Sequence, residues 1–159
     1  MARDDHWVLL AYRLPRVPST PRSAIWRRLK RLGVAQLADG LVALPADART
    51  REALEWVAEE VVDAHGEAMV WLGRPADAAD SAALAHRMTA AIAAEYEAVT
   101  ADAATTQNSD ETTRRRVTAR LRRELQRLEA RDFFSPPQRD AARGAVEDLA
   151  ANVVAVARS

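Results

Sequence analysis

A chain of 159 residues, 48% apolar and 29% charged, has the size and balance of one medium globular domain or of two small ones sharing a core. With no cysteine it excludes disulfides, thiol nucleophiles and thiolate metal sites, and no run approaches the roughly 20 uncharged apolar residues of a membrane-spanning helix. The 23 basic and 23 acidic residues cancel overall but not locally, with +5 over residues 1–50, −9 over 51–110, +5 over 111–131 and −1 over 132–159. Such blocks can pair inside the fold or with another subunit, or leave a basic face for phosphates. The opening MARDDHW has no apolar signal core, so a cytoplasmic location is expected.

Trp7 to Leu14 is a short, nearly continuous apolar run, the mark of a strand buried on both faces, and the proline-rich PRVPSTP closes it by removing backbone donors. A helix follows. Ser19 or Thr20 can cap it, Pro21 suits its first turn, Ile25, Leu29 and Leu32 recur at helical spacing, and Gly33 can take the left-handed stop. VAQL and LVAL then read as two short strands joined through Asp39-Gly40, a strong hairpin signal. Asp47 or Thr50 opens a second helix with a stripe of Leu54, Val57 and Val61, which His65-Gly66 ends. GEAMVWLGRP gives a fourth strand ending at Gly73 and Pro75. The order β-α-β-β-α-β predicts an α+β, ferredoxin-like domain over residues 1–75, with two helices on one face of a four-stranded sheet.

From about Ala76 the pattern is helical throughout, and residues 76–159 are expected to form a helical bundle or hairpin, packed on the sheet or swapped with a second subunit. Leu84, Met88, Ile92, Tyr96 and Val99 define one stripe; Val117, Leu121, Leu125 and Leu128 the next; Ala142, Val146, Leu149, Val153 and Val156 the last. ADAATTQNSDE reads as a flexible loop after the first, and FFSPPQ as a hard stop between the second and third.

Tyr12-Arg13-Leu14-Pro15, Trp26-Arg27-Arg28-Leu29-Lys30-Arg31-Leu32-Gly33, Asp39-Gly40 with Leu44-Pro45, Glu95-Tyr96 and Arg131-Asp132-Phe133-Phe134-Ser135-Pro136-Pro137 follow one another in an order and spacing that cover nearly the whole chain. In these residues the chain resembles the amino-terminal domain of the ChrB family of bacterial chromate resistance proteins, described as chromate-responsive regulators. More distantly, its β-α-β-β core resembles the Cas2-like domain of PaaX-type repressors. Full-length ChrB proteins carry a further carboxy-terminal domain beyond the part resembled here. The resemblance implies a regulatory or sensor protein of chromate resistance.

Catalytic signals are few. His6, His65 and His86 lack metal-ligand spacing, and no HExxH, phosphate loop, dinucleotide glycine pattern or nucleophile elbow occurs, so no catalytic residue, metal or cofactor is expected. Tyr12-Arg13 stands where a Cas2-like nuclease would want an acidic metal ligand. The basic residues are more informative. Arg13, Arg16 and Arg22, with amides at a helix amino terminus, could hold a tetrahedral oxyanion such as chromate, sulfate or phosphate. Arg27, Arg28, Lys30 and Arg31 on the first helix, and Arg114, Arg115, Arg116, Arg120, Arg122 and Arg123 on the fourth, could meet the phosphates of double-stranded DNA. The competing accounts are pairing with the acidic second helix and a solvated helix face. Trp26 is expected to insert toward the sheet, and Trp7, Trp56 and Trp71 to be core or interface residues. A homodimer is expected from exposed sheet edges and opposite charge blocks. The alternative reading is a structural or protein–protein interaction module without a ligand of its own.

Overall fold

The computed structural model describes residues 6–158. The readings placed on Met1 to Asp5, and on Val156 in the last stripe, fall outside the described residues and side chains. Nine elements follow in the order β1 (Trp7–Arg13), α1 (Thr20–Leu32), β2 (Ala35–Ala38), β3 (Leu41–Pro45), α2 (Ala48–Asp63), β4 (Glu67–Gly73), α3 (Ala78–Thr106), α4 (Glu111–Ala130) and α5 (Gln138–Ala157). The chain divides into two compact units, residues 1–86 and 87–159. Among the described residues no helix is long and apolar enough to cross a membrane.

In the first unit the strands form one sheet in the order β2-β3-β1-β4, with every neighbouring pair antiparallel. Together with the β-α-β-β-α-β sequence this is the split βαβ arrangement in outline, an α+β fold. Successive side chains of a strand alternate between faces. Val8 and Leu10 of β1 stand opposite Leu44 and Val42 of β3, and all four are fully buried. α2 packs on β1 and β4, and α1 packs on α2, contributing the buried Ile25, Leu29, Leu54, Val57 and Val61.

The turns show why particular residues stand where they do. Gly40 has φ +73°, and a Cβ there would lie 2.4 Å from the Tyr12 carbonyl oxygen, while the Tyr12 amide donates to the Gly40 carbonyl at 2.8 Å. Both the left-handed backbone and the close approach require glycine. Gly33, at φ +83°, stops α1 as expected. Ser19 stands at the cap position but does not cap, because its backbone is already helical and its hydroxyl makes no capping bond. Asp47 does cap α2: its carboxylate accepts the Thr50 amide at 2.7 Å, and the Thr50 hydroxyl accepts the Asp47 amide at 3.0 Å. At the end of α2 it is His65, not Gly66, that takes the left-handed backbone, at φ +65°. Gly66 is needed for room, since a Cβ there would lie 2.4 Å from the Arg13 carbonyl oxygen.

The second unit holds α4, α5 and most of α3 around one core of Ile92, Tyr96, Val99, Ala103, Val117, Leu121, Leu125, Leu128, Ala142, Val146 and Leu149. All three predicted stripes supply it. The loop expected over ADAATTQNSDE is mostly helix, however, and α3 runs on to Thr106. Ala103 and Thr106 are buried and extend the stripe of Val99 by four and three residues, so packing carries the helix through a polar-looking stretch rich in alanine. Asp110 then caps α4, accepting the Thr113 amide at 2.7 Å.

Candidate anion and nucleic-acid interface

The first basic group lies where β1 hands over to α1. Arg13 closes β1 opposite Glu67 of β4, so strand alternation sends it out on the face of Leu9 and Ala11. Tyr12 leaves on the other face, with Val8 and Leu10. Burial raises the pKa of its phenol above the ordinary value, the nearby Arg22 charge pulls it back, and Asp39 raises it again. Arg22 thus stands close to the helix-covered side of the sheet, and Arg13 and Arg22 do not share a face. Arg16 is exposed between β1 and α1. The first turn of α1 has no side-chain cap, and Pro21 contributes no amide, which leaves Thr20 and Arg22 to supply its free donors.

On α1 itself, Arg27, Lys30 and Arg31 lie opposite the buried Ile25 and Leu29 and are exposed. Neither Arg27 nor Arg31 forms an ion pair among the described residues. Lys30 has its ammonium 5.9 Å from the ring centroid of Trp26, which is half-buried and carries the lysine rather than inserting fully toward the sheet. Arg28 differs from these, being paired with Glu60 of α2.

The arginines of α4 are placed otherwise. Arg114 is not available to a polyanion: it is 9% exposed, and its guanidinium donates to the Ser109 carbonyl. It stands three residues before Val117 and seven before Leu121, on the stripe that packs inward. Arg115 pairs with Glu111 at 2.5 Å, Arg120 with Asp102 of α3 at 3.4 Å, and Arg122 with Glu147 of α5 at 3.5 Å. Arg116 stands near Asp110, whose carboxyl is held below its usual range chiefly by the Thr113 hydroxyl and amide, with Arg114 and Arg116 adding to it. Arg123 is exposed and without an ion pair among the described residues.

Two motif fragments that sequence reading used only as landmarks meet in space. Arg131 donates to both carboxylate oxygens of Glu95, at 2.7 and 2.5 Å, and the buried Tyr96 hydroxyl donates to Asp132 at 2.9 Å. The other oxygen of Asp132 accepts the amides of Phe134 and Ser135 at 3.1 and 2.8 Å, which fixes the turn into α5. Burial first, and then the bond to Asp132, raise the Tyr96 phenol so that it stays a donor. Two adjacent pairs, Glu95-Tyr96 and Arg131-Asp132, with matching chemistry were the available signal. Nothing in their spacing announced the contact, which spans 36 residues.

The face of the sheet turned away from α1 and α2 carries an apolar groove of about 420 Å³, lined by Trp7, Leu9, Leu41, Ala43, Trp71 and Leu84. The Trp7 indole N–H donates to the Ser81 hydroxyl at 2.8 Å, which satisfies its polar atom in this apolar setting. Trp7 is buried as expected, whereas Trp56 and Trp71 are more than half exposed.

Compared with known proteins, the chain finds no match among curated ones. The family model described as "Protein ChrB, N-terminal" matches residues 22–158, which take in α1 from Arg22 onward, the hairpin, α2, β4 and all three long helices with the Glu95-Tyr96 and Arg131-Asp132 contacts. By that match the chain belongs to the ChrB amino-terminal family, and so to the proteins related to chromate resistance.

Proposed function

We propose that the protein is a non-enzymatic, ChrB-like regulatory or sensor protein of chromate resistance that meets polyanions through α1. The observation that carries this reading is the outer face of α1, where Arg27, Lys30 and Arg31 are exposed and free of ion pairs among the described residues, although the glutamate-rich α2 packs against the same helix. Phosphates of double-stranded DNA would be held there by charge, without sequence being read. A tetrahedral oxyanion, chromate first, would bind at the amino end of the same helix, with Arg22 and Arg16 as its cations and the Thr20 and Arg22 amides as its dipolar donors. Arg13, on the other face of the sheet, would act on that site only through its field.

The test is duplex binding over a salt series, with calorimetry of chromate and sulfate against a monovalent anion. Steep weakening of duplex binding with salt, and oxyanion binding that falls in Arg22→Ala, are the expected results. No retardation of any duplex at low salt, together with no heat from either dianion, would remove the reading and leave an interaction module in its place.

A further inference from the structure

The two edges of the sheet differ in the way they meet solvent. An edge strand presents unpaired amides and carbonyls, and folded proteins usually blunt it by shortness, bulges, prolines or charges. β2 follows that rule: it has four residues, and its register shifts between Gln36 and Ala38. β4 does not. It runs for seven residues in unbroken register with β1, without proline and without a charge between Glu67 and Arg74. Met69 and Trp71 on one of its faces and Leu72 on the other are each more than half exposed.

The sequence of β4 also suits an antiparallel copy of itself. With Val70 opposite Val70, Met69 faces Trp71, a favourable sulfur–aromatic pair, and the small Ala68 faces Leu72. Glu67 then faces Gly73 and comes beside the partner's Arg74 at both ends of the ladder. Within one chain Glu67 has Arg13 across from it in β1, but neither Glu67 nor Arg74 forms an ion pair among the described residues.

We propose that β4 is a self-association edge, at which two copies of this chain pair their β4 strands antiparallel about a two-fold axis and join two four-stranded sheets into one of eight. A two-fold axis through an antiparallel pair makes the interface isologous, so each contact occurs twice. The proposal stands apart from any role of α1, since it uses residues of β4 and Arg74 alone.

The absence of native cysteine makes the test direct. Met69→Cys, Val70→Cys and Trp71→Cys are made singly in the full chain and oxidised, alongside sedimentation of the wild type across the micromolar range. The expected result is a concentration-dependent dimer, a disulfide-linked dimer from the position on the axis, and a dissociation constant raised about tenfold or more by Trp71→Lys. Should Trp71→Lys fail to fold, Arg74→Glu decides: it weakens the dimer, and Glu67→Arg added to it restores association. A monomer at every concentration, a dimer that cross-links at none of the three positions, or one indifferent to these substitutions would overturn the proposal.

Discussion

α1 and α4 are both arginine-rich amphipathic helices, and their sequences invite the same reading. The molecule uses them differently. Of the cations of α1, only Arg28 meets an acid among the described residues, Glu60. On α4, Arg115, Arg120, Arg122 and Arg127 all meet one, drawn from α3, from α5 or from α4 itself, and Arg114 is buried. Charge density therefore does not measure availability. A helix placed between acidic neighbours engages its cations locally, whereas one whose cations are exposed and unpaired keeps them for solvent or for a polyanion.

The largest expected effect follows from that difference. Replacing Arg27, Lys30 and Arg31 together with Ala should lower affinity for many duplex sequences alike and flatten the salt slope by about three, one for each lost phosphate contact. Replacing Arg116 and Arg123 should change the slope by less. Equal effects of the two sets, measured by anisotropy over a salt series, would break the comparison.

How much of this was legible beforehand depends on the range of the interactions. Gly33, Asp39-Gly40 and Asp47 are read correctly because a turn or cap is decided within four or five residues. Ser19 fails as a cap because its own backbone is already helical, and at the end of α2 His65 takes the left-handed backbone while Gly66 makes room beside the Arg13 carbonyl. The reach of α3 was hidden because ADAATT looks polar until Ala103 and Thr106 are seen to be packed. In the candidate site, the exposure of Arg27 and Arg31 follows from helical spacing alone. That Arg13 and Arg22 lie on opposite sides needs the strand register, and the pairs that Arg120 and Arg122 make with α3 and α5 reach 18 and 25 residues along the chain. No local pattern encodes them.

Within the second unit the next effect in size belongs to Arg131, which engages both carboxylate oxygens of Glu95. Arg131→Ala should cost about 1–2 kcal/mol, a range reduced for the partial exposure of Glu95. Arg131→Lys should recover little, since an ammonium cannot reproduce the fork. Full recovery in denaturant midpoints would show that charge alone matters there.

Acid should act on the same unit through Glu129, which accepts from Arg143 at 2.5 Å and has Arg139 nearby. The bond to Arg143 lowers its pKa, against a smaller opposing effect of burial. A depressed carboxyl contributes stability that is complete above its unfolded value near 4.5 and is lost as pH falls through the lower folded value. Urea midpoints of the wild type should therefore fall faster on acidification below about pH 4.5 than those of Glu129→Gln. Parallel acid limbs would remove Glu129 from the account.

The smallest effect carries the comparison furthest. Arg122 and Glu147 are both more than half exposed and meet at 3.5 Å, which makes theirs a solvent-screened pair. A double-mutant cycle should give a coupling of about 0.2–0.5 kcal/mol that shrinks with salt. Such a pair is easily exchanged for a phosphate, so the pairing on α4 would lower its affinity for a polyanion without forbidding contact. A coupling well above 1 kcal/mol would instead make these arginines fixed parts of the bundle, and α1 alone would remain as the polyanion surface.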